Sequence, residues 1–266
     1  MKLSNNPFYA GDVCTLHNDI WLKRQRIAGK VAAQTLSLLE SLVEEKTVKS
    51  LSELDKIAEE FILSKGCTPT FKNYKGFPAS VCMSLNNVLV HGIPFDYKLQ
   101  DGDSISFDTG ATYVGAIGDT ALSCIFGQPK LEQHISLIQD TRDALMKSIQ
   151  MIKIGDRIGS IGNTIYKHLA PKGYGVISNY GGHSMLTNTP HAFPFVSNKA
   201  NINEGIRIQP GIVLCIEPMA TLNGTTKTWT GTDGWSVFTE SASSHEEHTI
   251  FVHEDGKIEL ITDRSN

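Results

Sequence analysis

Four acidic residues stand where the surrounding sequence is apolar. Asp108 closes Ser104-Ile-Ser-Phe-Asp108, and Asp119 follows eleven residues later in Gly118-Asp119-Thr120, with Gly110 and Gly115 between them. That spacing suits two adjacent strands of a hairpin that present both carboxylates to one point. Glu217 ends the run Ile212-Val-Leu-Cys-Ile-Glu217 just before Pro218, and Glu247 precedes the strand-like His248-Thr-Ile-Phe-Val. Taken singly, such residues have plainer readings. Asp101 and Asp103 flank a glycine and read as turn chemistry, Glu217 as a strand end, Glu246 as a solvated carboxylate, and His168 as a structural or exposed helix residue. Taken together, four carboxylates converging without compensation would cost several kcal/mol per buried charge, so the set implies bound cations. Oxygen-rich ligands plus one imidazole suit divalent ions such as Mn, Fe, Co or Zn. Imidazole candidates are His91 in Val90-His91-Gly-Ile-Pro94, and His183 and His191 in Gly182-His183-Ser-Met-Leu-Thr-Asn-Thr-Pro-His191. Glycines beside His91 and His183 permit close approach of the backbone to a ligand.

The elements that must carry these residues show in the hydrophobic pattern. Ile27, Ala28, Val31, Leu36, Leu39, Leu42 and Val43 recur at helical spacing and predict a long helix from Ile20 to about Glu45. A second helix is predicted from the capping-box signal Ser50-x-x-Glu53 to Lys65-Gly66. Strands are predicted at Ser80–Val90, Ser104–Thr109 and Ala121–Phe126. The order then repeats. Helices are expected at Leu131–Ile152 and Ile158–Leu169, and strands at Gly175–Asn179, Ile212–Met219, Val237–Thr239, His248–His253 and Ile258–Ile261. Two long-helix, short-helix, strand passages with no linker between them predict one α+β domain with an internal pseudo-repeat. An amino-terminal arm is expected at 1–19 and the domain at 20–262, in halves of about 20–130 and 131–262.

Composition narrows the partners. The 266 residues are 40% hydrophobic and 20% charged, ordinary for a globular chain. A net charge of −4 argues against nucleic acid or an anionic membrane surface as partner. The longest uninterrupted apolar run, Ile212 to Ile216, is far short of a membrane span, and the amino terminus lacks an apolar core of signal-peptide length. Five cysteines without a C-x-x-C pair fit free thiols in a reducing cytoplasm. No phosphate-cradling glycine motif is present.

Together, Asn87-x-x-Val-His91-Gly-Ile-Pro94, Asp108 with Gly118-Asp119-Thr120, Gly182-His183, Ile216-Glu217-Pro218-Met219 and Glu247-His248-Thr249 resemble the type I methionine aminopeptidases. These enzymes belong to the "pita-bread" metallopeptidase superfamily, and the resemblance runs from about residue 20 to 262. It implies that Asp108, Asp119, His183, Glu217 and Glu247 hold two divalent ions (Co, Mn, Fe, Zn or Ni), with Asp119 and Glu247 bridging. It further implies that Glu217 shuttles a proton, His191 steadies an oxyanion and His91 contacts the scissile amide. Phe71, Tyr74, Phe77, Cys82 and Trp235 match positions lining a methionine slot, where thioether–aromatic contacts are favourable. Asn86, Val88 and Ser243 match a monovalent-cation site. The expected substrate is the amino terminus of a peptide or nascent chain, met at the ribosome, and the expected enzyme is a cytoplasmic monomer that removes initiator methionine and prefers a small second residue.

Two departures from the type I pattern stand out. His183 and His191 are separated by seven residues, where type I enzymes have six, and Pro190 replaces the usual aromatic. Asp108-Thr-Gly110-Ala111 resembles the Asp-x-Gly-Ala of Xaa-Pro peptidases and type II enzymes, which keeps an Xaa-Pro aminopeptidase or dipeptidase of the same fold as a second reading. A third is a metal-free binding module on this fold.

Overall fold

The computed structural model describes residues 14–48 and 50–265. Most of the predicted arm, 1–13, therefore lies outside the described residues. The first half comprises α1 (Asp19–Glu44), α2 (Leu51–Ser64), β1 (Thr68–Pro69), β2 (Val81–Leu85), β3 (Val88–Val90), β4 (Ser104–Tyr113) and β5 (Ala116–Ile125). In the second half come α3 (Glu132–Gln150), α4 (Gly159–Leu169), β6 (Gly175–Val176), β7 (Gly181–Leu186), β8 (Thr189–Ser197) and β9 (Val213–Ile216). They are followed by β10 (Met219–Thr221), β11 (Thr228–Thr230), β12 (Val237–Thr239), β13 (Ser243–His245), β14 (His248–Val252) and β15 (Ile258–Leu260).

Helix α1 starts where Asn18 Oδ1 accepts the Trp21 N–H at 3.0 Å. Helix α2 lacks the expected capping box, because the Ser50 side chain makes no cap bond. The Leu51 N–H instead donates to the Tyr97 carbonyl at 3.1 Å, so a neighbouring chain segment satisfies that first-turn donor. The helix ends as predicted at Gly66, whose φ of +74° suits glycine.

Each half builds its own core. Leu36, Leu39, Val43, Leu51 and Leu54 pack on Val81, Met83, Ile105, Phe107 and Leu122. Leu145, Ile149, Ile161 and Ile165 pack on Val196, Leu214, Ile216 and Ile250. A third cluster joins the halves: Trp21 and Leu22 of α1 and Ile117 of β5 meet Met185, Val213, Cys215 and Phe251.

Two strand predictions are corrected, and one hairpin is added. Ser80–Val90 splits at Asn86, whose φ of +56° breaks it into β2 and β3. Ile212–Met219 splits at Glu217-Pro218, so that β9 pairs with β14 while β10 pairs with β13. The hairpin β7–β8 has no sequence forecast, since Gly181-Gly-His-Ser is poor in β-branched residues.

Candidate metal centre

Strands β4 and β5 pair antiparallel with Asp108 opposite Ala121 and Gly110 opposite Asp119. Asp108 and Asp119 therefore lie diagonally on one face of the hairpin, as their spacing predicts. Gly110 is explained by packing: a Cβ there would sit 2.8 Å from Thr70 Cβ and 3.3 Å from the Phe71 ring. The hairpin is tied to the second half through backbone. The Asp119 N–H donates to Thr249 Oγ1 at 3.0 Å, that hydroxyl donates to the Asp119 carbonyl at 2.7 Å, and the Thr120 hydroxyl donates to the Glu247 carbonyl at 2.7 Å.

Both glutamates sit where the chain changes sheets. Ile216 pairs with His248 in one ladder and Met219 with His245 in the next, so Glu217-Pro218 and Glu246-Glu247 are facing crossovers. Pro218 lacks the N–H a continuous strand would need, and its carbonyl instead accepts the Glu246 N–H at 3.2 Å. His183 comes from β7, with Nδ1 3.0 Å from the Ser184 carbonyl. That contact places the ring proton on Nδ1 and leaves the Nε2 lone pair facing the acids, 3.5 Å from Glu217 Oε1 and 4.0 Å from Asp119 Oδ2. One ligand atom each from Asp119, His183, Cys215 and Glu247 lies within 4.8 Å of the others.

The electrostatics are those of a site short of positive charge. Asp108 Oδ1, Asp119 Oδ1 and Glu247 Oε1 are buried with no hydrogen-bond partner among the described residues. Burial, reinforced by the neighbouring acids, pushes the carboxyls of Asp119 and Glu247 well above the usual range, and burial raises Asp108 to about 7. Glu217 differs. Burial pushes it up, but contact with His245 and the proximity of His183 and His91 outweigh that and hold it below the ordinary value. Burial depresses the three expected imidazoles, with His91 lowered to about 4. Orphaned oxygens and an imidazole lone pair meeting in one buried place fit divalent cations and little else.

The remaining expected residues gather around this cluster. The His183 and His191 rings are 4.6 Å apart between centroids. The seven intervening residues are absorbed by register shifts in the β7–β8 ladder. His191 Nδ1 is 3.3 Å from the Tyr74 hydroxyl. His91 holds φ +58°, and the following Gly92 presses on β2, where a Cβ would come 2.2 Å from the Met83 carbonyl oxygen. Phe71, Phe77 and Cys82 form one apolar cluster with Ala79, Ile93 and Trp235. Phe77 and Trp235 meet edge to face at 5.2 Å. Cys82 pairs across the sheet with Asp108, so this slot borders the acids. The Ser243 hydroxyl lies 3.1 Å from the Val88 carbonyl and 3.5 Å from that of Asn86.

Glu246 is corrected. It is fully buried, not solvated, with Arg142 Nε at 3.3 Å, Arg264 Nη2 at 3.7 Å and the Ser123 N–H at 2.9 Å. Asp103 is also more than turn chemistry: its buried carboxylate accepts from Tyr97, the Gln100 N–H, Asn86 and Lys130. Two residues at the site have no sequence forecast, His245 and Cys215. Each precedes a site glutamate by two positions, and that alternation along a strand was the available signal.

The profile of metallopeptidase family M24 matches residues 23–254. A methionine aminopeptidase from Mycoplasma capricolum subsp. capricolum is 39% identical over 250 residues, covering 93% of this chain and 98% of that protein. Methionine aminopeptidase 1 of Bacillus subtilis is 36% identical, covering 92% of this chain and 96% of its own. The crystal structure of methionine aminopeptidase from Rickettsia prowazekii superposes with a TM-score of 0.88 at 33% identity, over 94% of this chain and all (100%) of that one. The prolidase from Pyrococcus furiosus, at 16% identity and a TM-score of 0.72 over 94% of this chain and 66% of its own, shares the fold.

Proposed function

The chain belongs to metallopeptidase family M24, and from that membership and the geometry above we propose a methionyl aminopeptidase that removes the amino-terminal methionine from peptides and nascent chains. The observation that carries this reading is the convergence of orphaned buried oxygens with His183 beside the slot of Phe71, Phe77, Cys82 and Trp235. Asp108, Asp119, His183, Glu217 and Glu247 would hold two divalent ions, their four carboxylates balancing the ions' formal charge. When bound, such a pair supplies a Lewis acid for the scissile carbonyl, a water of lowered pKa and an anchor for the free α-amino group.

The chain's own groups do the rest. Glu217 is the acid kept ionised by its imidazole neighbours, so it can take the proton of the attacking water and deliver it to the departing nitrogen. With the Tyr74 hydroxyl donating to His191 Nδ1, the His191 proton sits on Nε2, available to a tetrahedral oxyanion. His91, neutral through burial, is placed by its strained backbone to contact the scissile amide. The aromatic slot receives the thioether, and Cys82 gives it a small apolar floor. Crowding at the ligand rim favours a small second residue. Asn86, Val88 and Ser243 offer oxygens for a monovalent cation.

Because ligands come from both halves, 20–262 acts as one catalytic domain in this reading. We place the enzyme in the cytoplasm as a monomer working near the ribosome; among the described residues no helix is long and apolar enough to cross a membrane. Cleavage of Met-Gly-x, Met-Leu-x and x-Pro peptides with added manganese tests the proposal. Release of methionine from Met-Gly-x alone supports it. Cleavage restricted to x-Pro would favour the Xaa-Pro reading, for which the fold likeness and the Asp-Thr-Gly-Ala stretch are the only support.

A further inference from the structure

The imidazole of His245 is 2% exposed, and the reading above assigns it neither an ion nor a contact with substrate. Among the described residues its buried Nε2 has no well-formed hydrogen bond, and it lies 3.4 Å from Glu217 Oε2, the oxygen opposite the one nearest His183. The ring is held by backbone. The His245 N–H donates to Ser123 Oγ at 3.0 Å, while the Ser123 hydroxyl donates to the His245 carbonyl at 2.9 Å. The next residue, Glu246, is locked between Arg142 and Arg264. Met219 pairs with His245 across β10 and β13, fixing it opposite the crossover that carries Glu217. Once His183 Nε2 is committed to an ion, His245 still stands against the other oxygen of Glu217.

We infer that His245 is a positioning residue, whose Nε2–H donates to Glu217 Oε2 and aims the other oxygen at the proton it must carry. The inference rests on the aminopeptidase reading and deepens it. A carboxylate at a bend before proline has few local restraints on its side-chain torsions, so a fixed donor selects the productive rotamer and its loss shows in turnover, not in substrate binding.

The test compares His245→Gln, His245→Leu and the parent on a Met-Gly-x peptide, measuring kcat, KM, manganese bound per chain and the metal-free melting temperature. Glutamine carries its Nε2 the same number of bonds from Cα; leucine keeps bulk and removes the donor. The leucine variant is expected to lose kcat about 10- to 100-fold, the range typical of outer-shell partners. Its KM and manganese content should match the parent, and glutamine should restore most of the turnover. Parent-like kcat in the leucine variant overturns the inference. So does manganese loss in step with activity, which would make His245 a ligand, or a glutamine variant as slow as leucine with full metal. If the leucine variant fails to fold, His245→Asn replaces it: one methylene shorter than glutamine, it should be slow, and parent-like turnover there also overturns the inference. A parent that does not cleave Met-Gly-x refutes the aminopeptidase reading instead.

Discussion

Glu246 and Glu247 are adjacent, both buried, and solvated in opposite ways by the protein. The Glu246 side chain enters a pocket stocked with cations, between Arg142 and Arg264 with a backbone N–H beneath it. The Glu247 side chain points the other way, into a cluster it shares with a second acid, Asp119, and with Cys215, where Glu247 Oε1 has no hydrogen-bond partner among the described residues. Neighbouring residues on an extended chain face opposite sides, so one strand edge separates a closed ion pair from an open one. The fold satisfies Glu246 by itself, whereas Glu247 requires something from outside.

The contrast is sharpest in mutants. Asp119→Asn should cut methionine release by more than about 100-fold, beyond the loss expected for an outer-shell partner, and should lower bound metal, as read by peptide cleavage with metal analysis. The same change should raise the melting temperature of the chelated protein, since it removes a buried carboxyl that folding forces to keep its proton above its ordinary range. Glu246→Gln should do the reverse. It leaves two arginines without their acid and costs about 3 kcal/mol, the low end for a broken buried pair because Arg142 still reaches solvent. Metal content should stay at the parent level. Both variants shifting the melting point in one direction would erase the distinction.

Ligand removal probes the open side alone. Ions bound only by the folded state add about 2.7 kcal/mol at a hundredfold excess over Kd, so chelation should lower the melting temperature of the parent and leave that of Asp119→Asn nearly unmoved. A pH series on the chelated parent carries a definite sign. Asp108, raised to about 7, and Asp119 and Glu247, raised well above their ordinary values, hold protons in the folded state that the unfolded chain has released. Stability is therefore lost as pH rises through the folded values. Above the ordinary histidine value of 6.5 the depressed imidazoles are neutral in both states and add no opposing slope. The melting temperature should fall as pH rises above 6.5, and saturating manganese should abolish the fall. The smallest effect is at the slot: Trp235→Ala should raise KM for Met-Gly-x several-fold with little change in kcat, in line with about 0.3–1.5 kcal/mol for a thioether–aromatic contact.

What could be read from the sequence follows how local the determinants are. Asp108 and Asp119 share a hairpin, so their spacing and the glycines between them sufficed. The long helices were legible through periodicity, with ends within a residue or two. Glu246 was misread because its arginines sit at 142 and 264, far away on the chain. His245 escaped notice in a polar run, Ser-Ser-His-Glu-Glu-His, whose burial depends on β10 and β5 lying against it. The double crossover at Glu217 and Glu247 needs four strands in two ladders, and no local pattern encodes that.

The contact between α1 and β5 has a further consequence. A Cβ on Gly118 would come 2.2 Å from Gly29 Cα, and one on Gly29 would come 2.4 Å from Ile261 Cγ2. The missing side chain at Gly118 lets the helix backbone rest directly on the strand, immediately beside Asp119, and the one missing at Gly29 makes room for Ile261. The helix works as a gauge block, setting the depth of that carboxylate from the far side of the sheet. Even a single methyl group at Gly118 would lift the strand off its seat and detune a centre it never touches.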